Sequence, residues 1–145
     1  MDKTDNKIIQ TLQKDARIPI QRLAKEIHMS SPSVNERVKR LEECGIIKGY
    51  HAKIDAEKVG FTVHAFIVVN DSASCRNRIN DYIQQNNAIV RAFFSNTSGA
   101  ELILDVYCRN MNHLDEIQRS LFKMAHTSTF IVSNQIAKDG DIVME

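Results

Sequence analysis

Six residues in one short stretch carry side chains suited to reading nucleic acid: Ser31, Ser33, Asn35, Arg37, Lys39 and Arg40. Arginine donates two parallel hydrogen bonds to guanine O6 and N7, and asparagine pairs in the same two-point way with adenine. Lysine and hydroxyl side chains take phosphate oxygens. A good bidentate pair discriminates against the wrong base by about 1–3 kcal/mol. These groups act together only if one element holds them in register. Val34, Val38 and Leu41 supply that element, because their spacings of four and three make the apolar stripe of an amphipathic helix. Ser31 followed by Pro32 reads as an N-cap with proline at the first helical position. Gly45 stands where a left-handed residue ends the helix. A helix buried along one face, with cations and hydrogen-bonding groups around it, is what entry into a major groove requires. The competing reading of Arg37 and Arg40 is pairing with Glu36, Glu42 or Glu43 on their own helix, worth only tenths of a kcal/mol.

The preceding segments supply a scaffold for that helix. Asp2 or Thr4 caps a first helix bearing Ile8, Ile9 and Leu12, with Asp5 favourable in its first turn. That helix should end near Lys14, since Pro19 pushes the residue before it out of helical geometry. A second helix is expected from Ile20 to His28, burying Ile20, Leu23, Ala24 and Ile27. A brief turn then leads into the basic helix, so the unit reads as helix-turn-helix. Arg22, Lys25 and Lys48 flank the reading set as phosphate-contact candidates. Beyond Gly45, residues 46–54 alternate in period two, which predicts a short strand serving as a wing or a lead into a linker. A hinge is expected over DAEKVG (55–60).

From Phe61 the texture changes. FTVHAFIVVN, AIVRAFFSN, ELILDVYCR and TSTFIVSNQI read as strands, and two segments with helical spacing, 74–85 and 111–125, lie between them. The order β-α-β-β-α-β is the ferredoxin-like arrangement. The fold class expected is therefore α+β, with an N-terminal helix-turn-helix domain of the winged type and a C-terminal ferredoxin-like domain. The boundaries expected are 1–50 for the first domain, 51–61 for strand and hinge, 62–137 for the second domain and 138–145 for a polar tail. Both strand parities are apolar, with Ala65 and Ile67 against Phe66 and Val68, and Leu104 and Val106 against Ile103 and Tyr107. The residues alone leave open which parity meets the helices. Either choice leaves a partly apolar sheet face uncovered, which predicts self-association.

Composition sets bounds around this reading. At 145 residues the chain suits one medium or two small domains. A net charge of +1 conceals an asymmetry: residues 1–60 hold 12 Lys/Arg against 9 acids, and the remainder holds 7 against 9. A basic N-terminal part beside a slightly acidic C-terminal part suits a division between nucleic-acid contact and other work. Cys44, Cys75 and Cys108 are odd in number and widely spaced, which favours reduced thiols in the cytoplasm over a disulfide framework. No apolar run approaches the roughly 18 residues of a membrane span. The five histidines show no metal-ligand spacing.

With those residues laid out, the chain resembles the leucine-responsive/asparagine-regulator (Lrp/AsnC) family along nearly its whole length. The most specific part is SSPSVNERVKRLEECGIIKGYHAKIDAEKVG. It matches the family pattern at Ser31, Pro32, Ser33, Arg37, Val38, Leu41, Glu42, Gly45, Ile46, Ile47, Gly49, Tyr50 and Gly60. The resemblance implies a transcriptional regulator that binds double-stranded DNA. It also implies assembly through the C-terminal domain into dimers, often tetramers or octamers, with an amino acid commonly bound between subunits. By the same resemblance the effector candidates are Thr97, Ser98, Gly99, Ala100 and Glu101, with Thr129 on the last strand. An ammonium group wants a carboxylate such as Glu101, and a ligand carboxylate wants hydroxyls or backbone N–H groups. This stretch departs from the family's G-x-x-D pattern, because Glu101 follows Gly99 by two residues rather than three. A plain hairpin turn with a solvated glutamate is the other reading of the same residues.

Other function classes lack their signatures. No P-loop, nucleophile elbow, zinc motif or paired catalytic carboxylates occurs, so no enzyme and no cofactor is expected. AIVRAFFSN and ELILDVYCR lack the basic-glycine-aromatic run of an RNA-recognition sheet. An effector-independent architectural protein that wraps DNA is the alternative within the same family.

Overall fold

The computed structural model of the chain describes residues 1–70, 72–95 and 102–133. It divides into two compact units, which meet in the sequence at Lys53 and Ile54.

The first unit contains α1 (Lys3–Lys14), α2 (Ile20–Glu26) and α3 (Ser31–Glu43). Asp2 caps α1, and a capping box closes with Asp5: the Asp2 side chain accepts from Asp5 N–H, and the Asp5 side chain accepts from Asp2 N–H. The helix ends at Lys14, where Asp15 leaves helical geometry (φ −140°, ψ 89°) and its Oδ1 accepts from Arg17 N–H at 3.0 Å. Pro19 stands at the N-cap of α2, which stops at Glu26, two residues short of the expected His28. The reason is His28 itself. It adopts φ 58°, a left-handed conformation, to turn the chain into α3. Ile8, Ile18, Leu23, Ala24, Val34, Val38 and Leu41 form the core of this unit.

Two local expectations for α3 are resolved. The N-cap is Ser30 rather than Ser31. Ser30 Oγ accepts from Ser33 N–H at 3.3 Å, whereas the Val34 N–H that Ser31 would need is already bonded to the Ser30 carbonyl at 3.1 Å. Gly45 does end the helix, at φ 68°. Its N–H reaches the Glu42 carbonyl and the Ile46 N–H reaches Leu41, both at 2.9 Å, which is a Schellman closure.

The strand expected over residues 46–54 is absent: these residues run as coil, followed by turns over 56–60. Period two makes a strand only where a neighbour takes up the backbone groups. Among the described residues every strand pairing lies within the second unit's sheet.

The second unit has the ferredoxin-like order β1 (Val63–Asn70), α4 (Arg76–Gln85), β2 (Ile89–Phe94), β3 (Leu102–Cys108), α5 (Met111–Phe122) and β4 (His126–Ile131). A single 3₁₀ turn at Ser72–Cys75 leads into α4. The sheet order is β2-β3-β1-β4, with every neighbouring pair antiparallel. Ala65, Ile67, Val69, Leu102, Leu104 and Val106 are the parity that meets the helices, packing with Ile79 of α4 and with Leu114, Ile117 and Leu121 of α5. A bulge between Ile89 and Arg91 turns Arg91 and Phe93 to the opposite face. That face carries Phe66, Val68, Phe93, Ile103, Tyr107 and Phe130. Phe66, Phe93 and Phe130 are 36%, 51% and 59% exposed.

Candidate nucleic-acid interface

α2, the turn at His28 and α3 form the helix-turn-helix, and the buried stripe Val34, Val38 and Leu41 fixes which sides of α3 are left outward. Asn35 and Lys39, four residues apart, share one flank and are exposed. Lys39 is loosely tied to Glu43 at 3.6 Å, with both side chains well solvated. At the helix start Ser31 and Ser33 are half-buried, and the Ser33 hydroxyl lies 2.8 Å from that of Ser30. Arg22, Lys25 and Lys48 are exposed, and Arg22 pairs with Glu26 at 3.4 Å. Ser33, Asn35 and Lys39 thus lie on one helix, with Arg22 and Lys25 on the helix before it.

Arg37 and Arg40 are placed differently from expectation. Neither stands free and neither pairs within α3. Arg37 Nη1 donates to Asp2 Oδ2 and to Asp5 Oδ1, each at 2.7 Å. Arg40 Nη2 donates to Asp5 Oδ1 at 3.1 Å and to Oδ2 at 3.0 Å. Both guanidinium groups are held by the first turn of α1. The arrangement follows from spacing: residues 37 and 40 lie on one flank of α3, and the capping box turns both carboxylates of α1 toward them. Asp5 is 1% exposed. Burial pushes its carboxyl up, yet the hydrogen bonds from Asp2 N–H and Arg37 outweigh that and hold it below the usual carboxylate range. Asp2 is lowered by the Asp5 N–H and then by Arg37, and Arg37 is raised by Asp2 and Asp5 in turn. Sequence reasoning treated Asp5 only as a helix-dipole residue. The available signal was the coincidence of two i,i+3 pairs, Asp2/Asp5 and Arg37/Arg40, on helices that must pack together.

Following α3, the Tyr50 hydroxyl donates to Glu42 Oε1 at 2.9 Å. Burial and then this carboxylate push the phenol up to about 12.

Of the effector candidates, Thr97, Ser98, Gly99, Ala100 and Glu101 lie outside the described residues. Thr129 is half-buried on β4, opposite the buried Ile67, and so belongs to the helix-covered side of the sheet. On the other side lies a polar cluster that the sequence reading did not single out. Asp105, 2% exposed, accepts from Arg91 Nε at 2.9 Å and lies 2.7 Å from His64 Nε2. The His64 ring stacks on Tyr107 with centroids 4.2 Å apart. The signal for it was a lone carboxylate inside the apolar strand Leu102–Cys108. No group of His, Cys, Asp or Glu among the described residues is arranged to hold a metal ion. No helix among them is long and apolar enough to cross a membrane.

Comparison with known proteins agrees with this geometry. A family model described as winged helix-turn-helix DNA-binding matches residues 1–48. The transcriptional regulator LrpC of Bacillus subtilis is 30% identical over 137 residues, covering 94% of each chain. The regulator FL11 of Pyrococcus furiosus is 27% identical, covering 91% of this chain and 89% of its own. The solved structure of B. subtilis LrpC superposes with a TM-score of 0.88 at 27% identity, over 96% of this chain and 99% of that one. Escherichia coli AsnC, at 21% identity, shares the fold with a TM-score of 0.85 over 97% of both chains. These relatives are regulators, not enzymes. The chain belongs to the Lrp/AsnC family of helix-turn-helix transcriptional regulators.

Proposed function

We propose that this regulator binds DNA sequence-specifically as a homo-oligomer in the cytoplasm, associated with the nucleoid, and that an amino acid bound between subunits tunes its binding. The observation that carries the DNA half of this reading is the outward flank of α3, where Asn35 and Lys39 stand exposed on a helix preceded by Arg22 and Lys25. Asn35 would reach adenine in the major groove, while Lys39, Arg22, Lys25 and Lys48 would meet phosphates. A dimer would present two such helices to half-sites about 34–36 Å apart, one helical turn, or a multiple of it.

Self-association is supported by the sheet face that α4 and α5 leave uncovered, where Phe66, Phe93 and Phe130 stand exposed around Asp105. The effector half is supported by a neighbour of the same fold, a transcriptional regulator of Neisseria meningitidis solved as an L-methionine complex, with a TM-score of 0.87 at 23% identity. The test is fluorescence anisotropy on DNA from upstream of the regulator's own gene, at fixed salt, with and without a pool of the twenty amino acids. Binding that shifts with the pool supports the full reading. Binding indifferent to the pool removes the effector and leaves a constitutive or DNA-wrapping protein. No binding to this or any selected duplex refutes the DNA reading.

A further inference from the structure

The apolar core between the helices of the first unit sets how far apart they lie, but apolar contact is non-directional and leaves a helix free to rotate by a few degrees about its axis. The carboxylate–guanidinium cluster supplies directional contacts between α1 and α3. The buried Asp5 carboxylate accepts from Asp2 N–H at 3.1 Å, from Arg37 Nη1 at 2.7 Å and from Arg40 Nη2 at 3.0 and 3.1 Å. Asp2 closes the cluster, taking the second Arg37 contact on Oδ2 and the Asp5 N–H on Oδ1. Two cations of α3 are thereby matched by two acids of α1. Lys39 is then the one cation of α3 not held by another helix, on the flank it shares with Asn35.

We propose that Asp5 and Arg37 are positioning residues of the DNA-reading surface. Together with Asp2 and Arg40 they fix the rotation of α3, and so the aim of Asn35 and Lys39. They also tie two guanidinium groups of the DNA-reading set to acids of the protein itself, Arg40 the more loosely because it is 57% exposed. This inference rests on the DNA-binding reading above. Its consequence is selectivity. Cations committed to internal acids release no counterions from DNA, so they add nothing to sequence-independent affinity, while the orientation they impose serves the base contacts.

The salt dependence of binding separates a positioning residue from a contact. The full-length protein is used first to select a duplex from a random pool. Anisotropy then compares the selected duplex with a scrambled one across a salt series. Lys39→Ala, a phosphate contact, should reduce the slope of log K against log salt by about 0.9 per bound subunit on both duplexes. Arg37→Ala should leave the slope unchanged and reduce the ratio of selected to scrambled affinity by about tenfold. Asp5→Asn should cause the same loss of ratio, and the double variant should lose no more than either single one. Arg37→Lys keeps the charge, but its ammonium ends one atom short of Nη1, the single nitrogen that makes both 2.7 Å contacts, so it should behave like Arg37→Ala. It also keeps the test decisive should Asp5→Asn fail to fold by circular dichroism. The proposal is overturned if Arg37→Ala flattens the slope by about 0.9 per bound subunit on both duplexes, if Arg37→Lys binds like wild type, or if the affinity ratio survives Arg37→Ala. If the wild-type protein selects no duplex, the DNA-binding reading fails and the proposal falls with it, a result distinct from the others.

Discussion

Asp5→Asn has an effect on stability that can be worked out from the four hydrogen bonds on its carboxylate. Oδ1 receives Arg37 and Arg40, and Oδ2 receives Arg40 and Asp2 N–H. An asparagine amide keeps one acceptor oxygen and turns an N–H₂ toward the other pair of donors. Charged hydrogen bonds contribute about 1.5–3 kcal/mol each, but Arg40 is 57% exposed and can turn to water. The expected loss at neutral pH is about 2 kcal/mol, enough to raise the open population of the helical unit by about thirtyfold. The pH dependence gives the sharper test. The folded carboxyl lies below its unfolded value of about 3.9. Its contribution is therefore complete above that value and is lost as pH falls through the folded pKa. Asparagine resembles the protonated acid, so the gap between wild type and variant should close in the same window. Amide hydrogen exchange over Val34–Leu41, corrected for intrinsic rates and followed from pH 7 to about pH 2.5, measures that gap. An undiminished gap at the acid end would refute the electrostatic account, and so would the absence of any gap at pH 7.

Four further outcomes follow from the same structure. Tyr50, held at about 12 by burial and then by Glu42, should ionise above the ordinary phenol range in an ultraviolet titration, and Glu42→Gln should lower it part of the way. Its stabilising contribution is full below the unfolded pKa and disappears as pH rises through about 12. His28→Gly removes a side chain from a left-handed position and should raise stability by about 1 kcal/mol in denaturant melts, whereas His28→Val should lower it. Phe66→Glu on the uncovered sheet face should yield a folded monomer by light scattering; an unchanged oligomer would place self-association elsewhere. Ile67→Ala, fully buried beneath α4 and α5, should cost about 2–5 kcal/mol by urea unfolding while leaving the DNA salt slope unaltered.

What the sequence determined by itself is local. The apolar stripe Val34–Val38–Leu41, the glycine at 45 and the alternation of FTVHAFIVVN follow from periods and terminators that lie within a few residues of one another, so α3, its end and β1 were legible before any contact was known. The position of the α3 cap was off by one residue, because adjacent serines compete and only the hydrogen-bond partners decide between them. What the tertiary structure decided is what depends on partners far away in the chain. Residues 46–54 have a strand's pattern but no ladder, since backbone pairing is supplied by a neighbour and not by alternation. The two strand parities are nearly equal in apolarity, and only the packing of α4 and α5 chose Ala65, Ile67 and Val69 for the core. Arg37 and Arg40 look like readers of DNA in one dimension because exposure and charge are all that the helix period reveals. Their partners Asp2 and Asp5 lie more than 30 residues earlier, and only the packing of α1 against α3 brings those carboxylates to the two guanidinium groups.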